Sequence, residues 1–440
     1  MSAIGFVLFA LWLLAAAVSY ACIRDIFSPD KLALAALGVF FADIFFSHYP
    51  ATVQFAYALL LLALASTVIV LSPLVRRAAA EPLALPPPSR TQPNSFSAAV
   101  SPVFFWVISM PALAAQVAMI ANFGGIEGYI SVLAMRVIEF QGLGWLSAII
   151  QTYSIVDLLY FSFLVTRRHV APLAIAVYCV HLLLFVVIAL LTGSRGSLLV
   201  NFVLMVLVHH LLVRRATLRR LVVVAVSALV VASVLEVARE GVAIGDEGLV
   251  TGLSESREAE SSVGFAWATY GTMPLALVLD APSVNLHYGF TYLTWVTNAI
   301  PRALWPEKPD SGGVVLTKEY TGDAWDGASH LSTGLLPEAM INFGQAAGLF
   351  VGVLQFVLIQ TFLVILYVRY KRRLALHGPY DFVYGVRFAY ISWAMMGLIV
   401  GEFTNIMLTL TVQLVTVWLL FAAIRWPGLT SQPRTAAGGR

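Results

Sequence analysis

Long apolar runs separated by short polar connections organise this chain. The runs predict helices over 4–22, 32–46, 52–73, 101–121, 145–166, 171–192, 196–213, 221–236, 344–368, 383–400 and 403–424. Most reach the roughly 20 apolar residues that cross a hydrocarbon layer about 30 Å thick. They are far longer than the ~10-residue alternating strands of an outer-membrane barrel. The pattern therefore predicts an all-α, polytopic membrane helix bundle of about eleven spans. The second run is short and carries Asp43, so its limits are the loosest. The first, apolar from Ile4 to Cys22, has neither a basic leading region nor a small-residue cleavage site, and is expected to be retained.

Composition agrees: 60% of the 440 residues are hydrophobic and 11% charged, against about a quarter charged in soluble domains. The two cysteines, Cys22 and Cys179, both fall in predicted spans, so neither a disulfide framework nor a cysteine metal site is expected. The chain lacks a P-loop, GxGxxG, HExxH, paired CxxC and GxSxG. Its connections on the basic side are too short for a nucleotide-sugar-binding domain.

Charge sorts the connections. Nineteen of the 26 Lys and Arg residues fall in alternate connections, including Arg76 and Arg77, Arg167 and Arg168, Arg214 to Arg220, and Arg369 to Arg373. The other seven (Arg136, Arg195, Arg239, Arg257, Arg302, Lys308, Lys318) lie on the opposite side with 17 of the 23 acidic residues. The positive-inside rule then predicts an amino terminus outside and a carboxyl terminus in the cytoplasm.

Six segments follow. A three-helix unit (1–75) precedes a Pro/Ser-rich cytoplasmic linker (76–100), which is stiff where three prolines adjoin. Central membrane helices (101–236) lead to a large extracytoplasmic loop (237–343), too long for a mere connector. C-terminal membrane helices (344–424) and a cytoplasmic tail (425–440) complete the chain. Within the loop, 263–279 and 284–300 are apolar and aromatic but at or below spanning length. Interfacial helices are the preferred reading; thirteen spans result if both cross.

The candidate chemistry lies on the acidic side. Arg195 in TGSRGSL is flanked by glycines and serines whose N–H groups and hydroxyls could cradle a phosphate; the bland alternative is an arginine snorkelling to headgroups. Arg302 and Lys308 lie in the stiff segment IPRALWPEKPD, which reads alternatively as a Pro-rich loop with a Trp anchor. Arg136 in GGIEGYISVLAMRVIEF either adds a cation or pairs with Glu139 for roughly 0.2–0.5 kcal/mol. In SHLSTGLLPEAMINFG, His330 and Glu338 are the candidate general bases. Glu338 follows Pro337 at a helix start and could instead serve only as a dipole partner. Asn342 and Glu402 are candidates for binding sugar hydroxyls. Asp43 and Asp157, costly in lipid, must face protein or water, and His181 reads as a satisfied core histidine.

GSRGSLL after an apolar span, IPRALWPEKP in a long loop, then STGLLPEAMINFG leading into the next span resembles, in that order, the Wzy-type oligosaccharide repeat unit polymerases. GGIEGYISVLAMR is similar to theirs as well, so the resemblance covers roughly 122–345. It implies a glycosyltransferase of the GT-C type at the periplasmic face of a bacterial inner membrane, acting in O-antigen, capsule or exopolysaccharide synthesis. Donor and acceptor would be undecaprenyl-diphosphate-linked oligosaccharides among membrane lipids, with a chain-length regulator and a flippase as plausible partners. Neither nucleic acid nor a cofactor is expected. Arg195, Arg302, Lys308 and Arg136 would hold the diphosphate, His330 or Glu338 would take the acceptor proton, and Asn342 and Glu402 would bind sugar. A diphosphate leaves readily beside fixed cations, so no metal requirement is expected. Competing readings are an O-antigen ligase-type transferase, differing in acceptor, a flippase of lipid-linked sugars, which would bury cations within its spans, and a non-catalytic assembly subunit.

Overall fold

The computed structural model describes residues 2–80, 101–132, 139–140, 143–167, 169–192, 195–214, 217, 243–245, 248–250, 270–298, 300, 304–321, 331–377 and 382–424. Its helices in chain order are α1 (Ala3–Cys22), α2 (Pro29–Phe40), α3 (Ala51–Ala80), α4 (Pro102–Asn122), α5 (Ile126–Val132), α6 (Gly144–Val165), α7 (Pro172–Leu191) and α8 (Arg195–Leu212). Then come α9 (Thr272–Asp280), α10 (Phe290–Thr297), α11 (Gly312–Tyr320), α12 (Leu335–Phe343), α13 (Gln345–His377), α14 (Phe382–Gly397) and α15 (Phe403–Ile424). One small antiparallel hairpin, β1 (Ala243–Gly245) with β2 (Gly248–Val250), accompanies the helices of this all-α architecture.

Among the described residues, seven helices (α1, α3, α4, α6, α7, α13 and α15) are long and apolar enough to cross a membrane. Phe6, Val70, Leu173, Phe350 and Trp418 point outward from five of them. So much exposed apolar surface belongs against lipid rather than water. The chain is a polytopic helical membrane protein. Local chemistry sets the helix starts: the Ser2 hydroxyl accepts from Gly5 N at 2.9 Å, and Pro29, Pro102 and Pro172 open α2, α4 and α7.

Several predicted runs change shape. The run over 32–46 is not one span. Helix α2 has 12 residues, about 18 Å at 1.5 Å per residue, and a 3-10 turn over Ala42–Phe45 follows. The reason is Asp43, whose carboxylate accepts from the Tyr49 and Thr272 hydroxyls and so draws the chain toward protein. Helix α14 stops at Gly397 after 16 residues, whereas α13 continues to His377. Within 284–300, α10 is 8 residues long, about 12 Å, too short to cross. The run 263–279 overlaps α9, which covers Thr272–Asp280 and ends one residue beyond it, while 263–269, like the predicted span 221–236, lies outside the described residues.

Two glycines bring α13 close to α12. A Cβ on Gly348 would fall 2.3 Å from Met340 Cα, and one on Gly352 would fall 2.7 Å from Leu336 Cδ2. This small-xxx-small spacing lets α13 lie directly against α12. Helix α3 packs on α1 and α13, and one apolar cluster joins Leu37, Tyr57 and Leu61 to Leu316, Met340 and Phe356. A second gathers Tyr160, Phe163, Leu207, Tyr370 and Phe388 from α6, α8, α13 and α14.

The bundle has two distinct ends. At one, Gly271 N donates to Phe40 O at 2.8 Å, tying the α2–α3 connection to the 270–343 segment; this is the loop end. At the other, Asp25 Oδ1 accepts from His210 Nε2 at 2.9 Å, and Oδ2 accepts from Tyr367 OH at 2.6 Å and Lys371 Nζ at 2.7 Å. Burial alone would raise the Asp25 carboxyl, but His210 and Lys371 together outweigh it and hold it well below the usual carboxylate range. One carboxylate thus pins the α1–α2 connection to α8 and α13.

Asp25→Asn is expected to cost roughly 2 kcal/mol at pH 7, less than the about 3–5 kcal/mol of a fully buried pair, because the Lys371 side chain is 27% exposed. A depressed acid stabilises the fold above its unfolded value and stops doing so as pH falls. The difference between wild type and variant in denaturant titrations should therefore close at strongly acidic pH.

Candidate functional site at the loop end

Helix α12 carries the core of the site. It is bounded by Gly334 (φ 72°) and Gly344 (φ 86°), left-handed positions that favour glycine. A Cβ on Gly334 would also lie 2.8 Å from Ile399 O. These turns confine α12 to nine residues; it packs on α9, α10, α11 and α13, and Glu338 ties it to Phe403 at the start of α15.

Glu338 and Asn342, one turn apart on α12, are both buried. Glu338 Oε1 accepts from Thr291 Oγ1 at 3.1 Å, and Oε2 accepts from Thr333 Oγ1 at 2.9 Å and Phe403 N at 3.0 Å. Its carboxylate therefore binds three separate segments rather than only capping its own helix. Asn342 Nδ2 donates to Thr291 Oγ1 at 2.6 Å and Glu338 O at 2.8 Å, while its Oδ1 accepts from Gly289 N at 2.8 Å. Glu402, also buried, accepts at Oε1 from Gly313 N at 3.1 Å and at Oε2 from Asn405 Nδ2.

Burial raises the Glu338 carboxyl most. The Phe403 N–H pulls it back and the neighbouring Glu402 pushes it further, leaving it at about 7. A carboxyl poised near neutrality can hold or release a proton under working conditions. Gly312 is the lid on it: a Cβ there would fall 2.8 Å from Glu338 Cδ.

Three of the residues singled out from sequence thus converge: Glu338, Asn342 and Glu402. Lys308 stands apart from them. Its ammonium donates to Ile300 O at 3.0 Å and lies 3.4 Å from Asn298 O and Oδ1, at the C-terminal end of α10. That end of a helix favours a cation, and it lies about 10 Å along α10 from Thr291. Arg195 opens α8 and is described in its backbone alone. Arg136, Arg302 and His330 lie outside the described residues.

Thr291 and Thr333, which hold Glu338, carry no sequence signal beyond their presence in an aromatic helix and in STGLLPE. Only the fold identifies them. A second cluster escaped as a unit: Asp157 Oδ1 meets His181 Nδ1 at 2.8 Å, Asn201 Nδ2 donates to Oδ2 at 3.1 Å, and His181 Nε2 meets Ser109 Oγ at 2.9 Å. Its Ser–His–Asp order does not make a nucleophile. The Ser109 hydroxyl already donates to Phe105 O at 2.8 Å, and Ser109, His181 and Asp157 are all 0% exposed. The rings of Trp106 and Tyr153 cover the imidazole. This cluster clasps α4, α6, α7 and α8 together; of the two surroundings open to Asp157 in a span it has protein rather than water, and His181 is a satisfied core histidine.

No family model matches the chain, and it has no match among curated proteins or solved structures.

Proposed function

We propose that this protein is a membrane glycosyltransferase that polymerises undecaprenyl-diphosphate-linked oligosaccharide repeat units at the periplasmic face of a bacterial inner membrane. The observation that carries this reading is the convergence of Glu338, Asn342 and Glu402 at the loop end, with the Glu338 carboxyl raised to about 7 by burial. The segment STGLLPEAMINFG, on which the family resemblance partly rests, supplies the centre of that cluster.

In this mechanism a hydroxyl oxygen of the incoming repeat unit attacks the anomeric carbon of the growing chain. The new C–O bond forms as the bond from that carbon to the diphosphate oxygen breaks, and the diphosphate departs with the electron pair. The hydroxyl proton passes to His330 or Glu338. His330 is preferred because both Glu338 oxygens already accept hydrogen bonds and the residue is enclosed. Glu338 then holds Thr291 and Thr333 in place beside the reacting groups.

Arg195, Arg302, Lys308 and Arg136 stabilise the charge that grows on the leaving group. The placement of Arg195 supports its share. As the first residue of α8 it stands at the positive end of a helix dipole, where a cation is unfavourable by itself and an anion is welcome.

Separate replacement of Arg195, Arg302 and His330 by alanine is expected to shorten or abolish polymer in vesicles holding the purified protein and a defined lipid-linked repeat unit. Normal chain lengths from all three well-inserted variants would defeat the assignment. Relocation of the lipid without growth would indicate a flippase instead.

A further inference from the structure

A cavity of about 560 Å³ opens at the loop end, away from Glu338. Its volume lies within the roughly 300–1,000 Å³ of small-molecule sites. We propose that it is a sugar-binding subsite that accepts a neutral or amino sugar and rejects a uronic acid. The inference rests on the glycosyltransferase reading and specifies what the repeat unit carries at a distance from the reacting bond.

The lining argues for a sugar. Met273, Ala276 and Leu277 of α9 give it an apolar side, and Tyr49 and Tyr320 belong to its lining. Aromatic faces and aliphatic floors suit the C–H faces of a pyranose ring. Around them lie Asp280, Ser283, Asn285 and Glu319, whose oxygens and amide can take up hydroxyl groups. Glu319 is aimed by its neighbours: Asn285 Nδ2 donates to Oε2 at 3.1 Å, and His287 Nε2 lies 3.1 Å from Oε1. Among the described residues no group of His, Cys, Asp and Glu has a metal-binding arrangement. The two carboxylates make the cavity a poor host for a third.

Position connects it to the site. Helix α11 begins at Gly312, against the Glu338 carboxyl, and ends at Glu319 and Tyr320 in the cavity wall. The two places are thus about 10 Å apart along one helix axis. A glycan reacting near α12 can extend along α11 and lodge a later residue in the cavity.

The test uses the full chain in lipid nanodiscs and saturation-transfer NMR with glucosamine, N-acetylglucosamine and glucuronic acid. Either of the first two should bind, with glucuronate at least about tenfold weaker. Signal from the better sugar should fall by about tenfold in Asp280→Ala combined with Glu319→Ala. Asp280→Asn with Glu319→Gln, which keeps the shape and removes the charge, should restore glucuronate binding. Equal binding of glucuronate by the wild type, an unchanged signal in the double alanine variant, or silence from all three sugars overturns the proposal. So does a response to magnesium or calcium ions alone. Glu338→Gln should leave the sugar signal intact, so a failed polymerisation assay and a failed cavity remain separate results.

Discussion

Glu338→Gln is expected to flatten the pH dependence of stability and to raise stability above pH 7. The folded carboxyl sits at about 7 against an ordinary value of 4.5. A raised acid binds its proton more tightly in the fold than in the unfolded chain, so stability is greatest below the ordinary value. It declines as pH rises through that interval, and the full penalty stands above the folded value. At about 1.4 kcal/mol per pKa unit, the loss approaches roughly 3 kcal/mol. Glutamine removes the charge and the repulsion from Glu402 while leaving an oxygen for Phe403 N and Thr333. Its unfolding midpoint should stay level between pH 5 and 8, where the wild type declines.

Glu338→Ala should behave in the opposite way. It strands the Phe403 N–H and the Thr291 and Thr333 hydroxyls in a buried site, at about 1–3 kcal/mol for each unsatisfied group. The proposed function adds a separate expectation: the glutamine variant is at least as stable as wild type yet makes less polymer, because its amide nitrogen cannot accept from the Thr291 hydroxyl that the carboxylate holds beside the reacting groups. A wild-type midpoint that does not move between pH 5 and 8 would show that the carboxyl does not titrate there.

The helices were legible because lipid makes one demand of length and polarity, and the sequence meets it run after run. Where the demand conflicts with a single residue, the pattern misleads. Asp43 turns 32–46 into a short helix and a 3-10 turn, because its oxygens find Tyr49 and Thr272 only when the chain bends. At the far end of α14, Gly397 and Gly401 end the helix early, and the turn delivers Phe403 N to Glu338. Neither event has a periodicity to read.

The site was partly legible for a related reason. Glu338, Asn342 and Glu402 stand out as polar residues beside apolar runs, but threonines do not. Thr291 contacts Glu338 across 47 positions of sequence. The Asp25 cluster was hidden in another way: His210 and Lys371 look like ordinary charges of a basic connection, and only the packing of α8 and α13 brings them to one carboxylate.

Asp157→Ala is expected to have the largest effect on folding of any single change in the spans. The carboxylate holds His181 and Asn201 where all are inaccessible to solvent. Removing one partner of a buried polar pair costs about 3–5 kcal/mol, because the other is left without compensation. In a bundle the loss should appear as a lower unfolding midpoint in mixed micelles and poorer recovery from the membrane. Asp157→Asn retains an oxygen toward His181 and should recover much of the difference. The informative measurement is the cycle with His181→Ala. If the pair acts as one clasp, the double variant loses far less than the sum of the singles, since the second replacement removes the group stranded by the first. Additive losses would mean that Asp157 and His181 act independently, with the aromatic shell of Trp106 and Tyr153 rather than the carboxylate holding α7 in place.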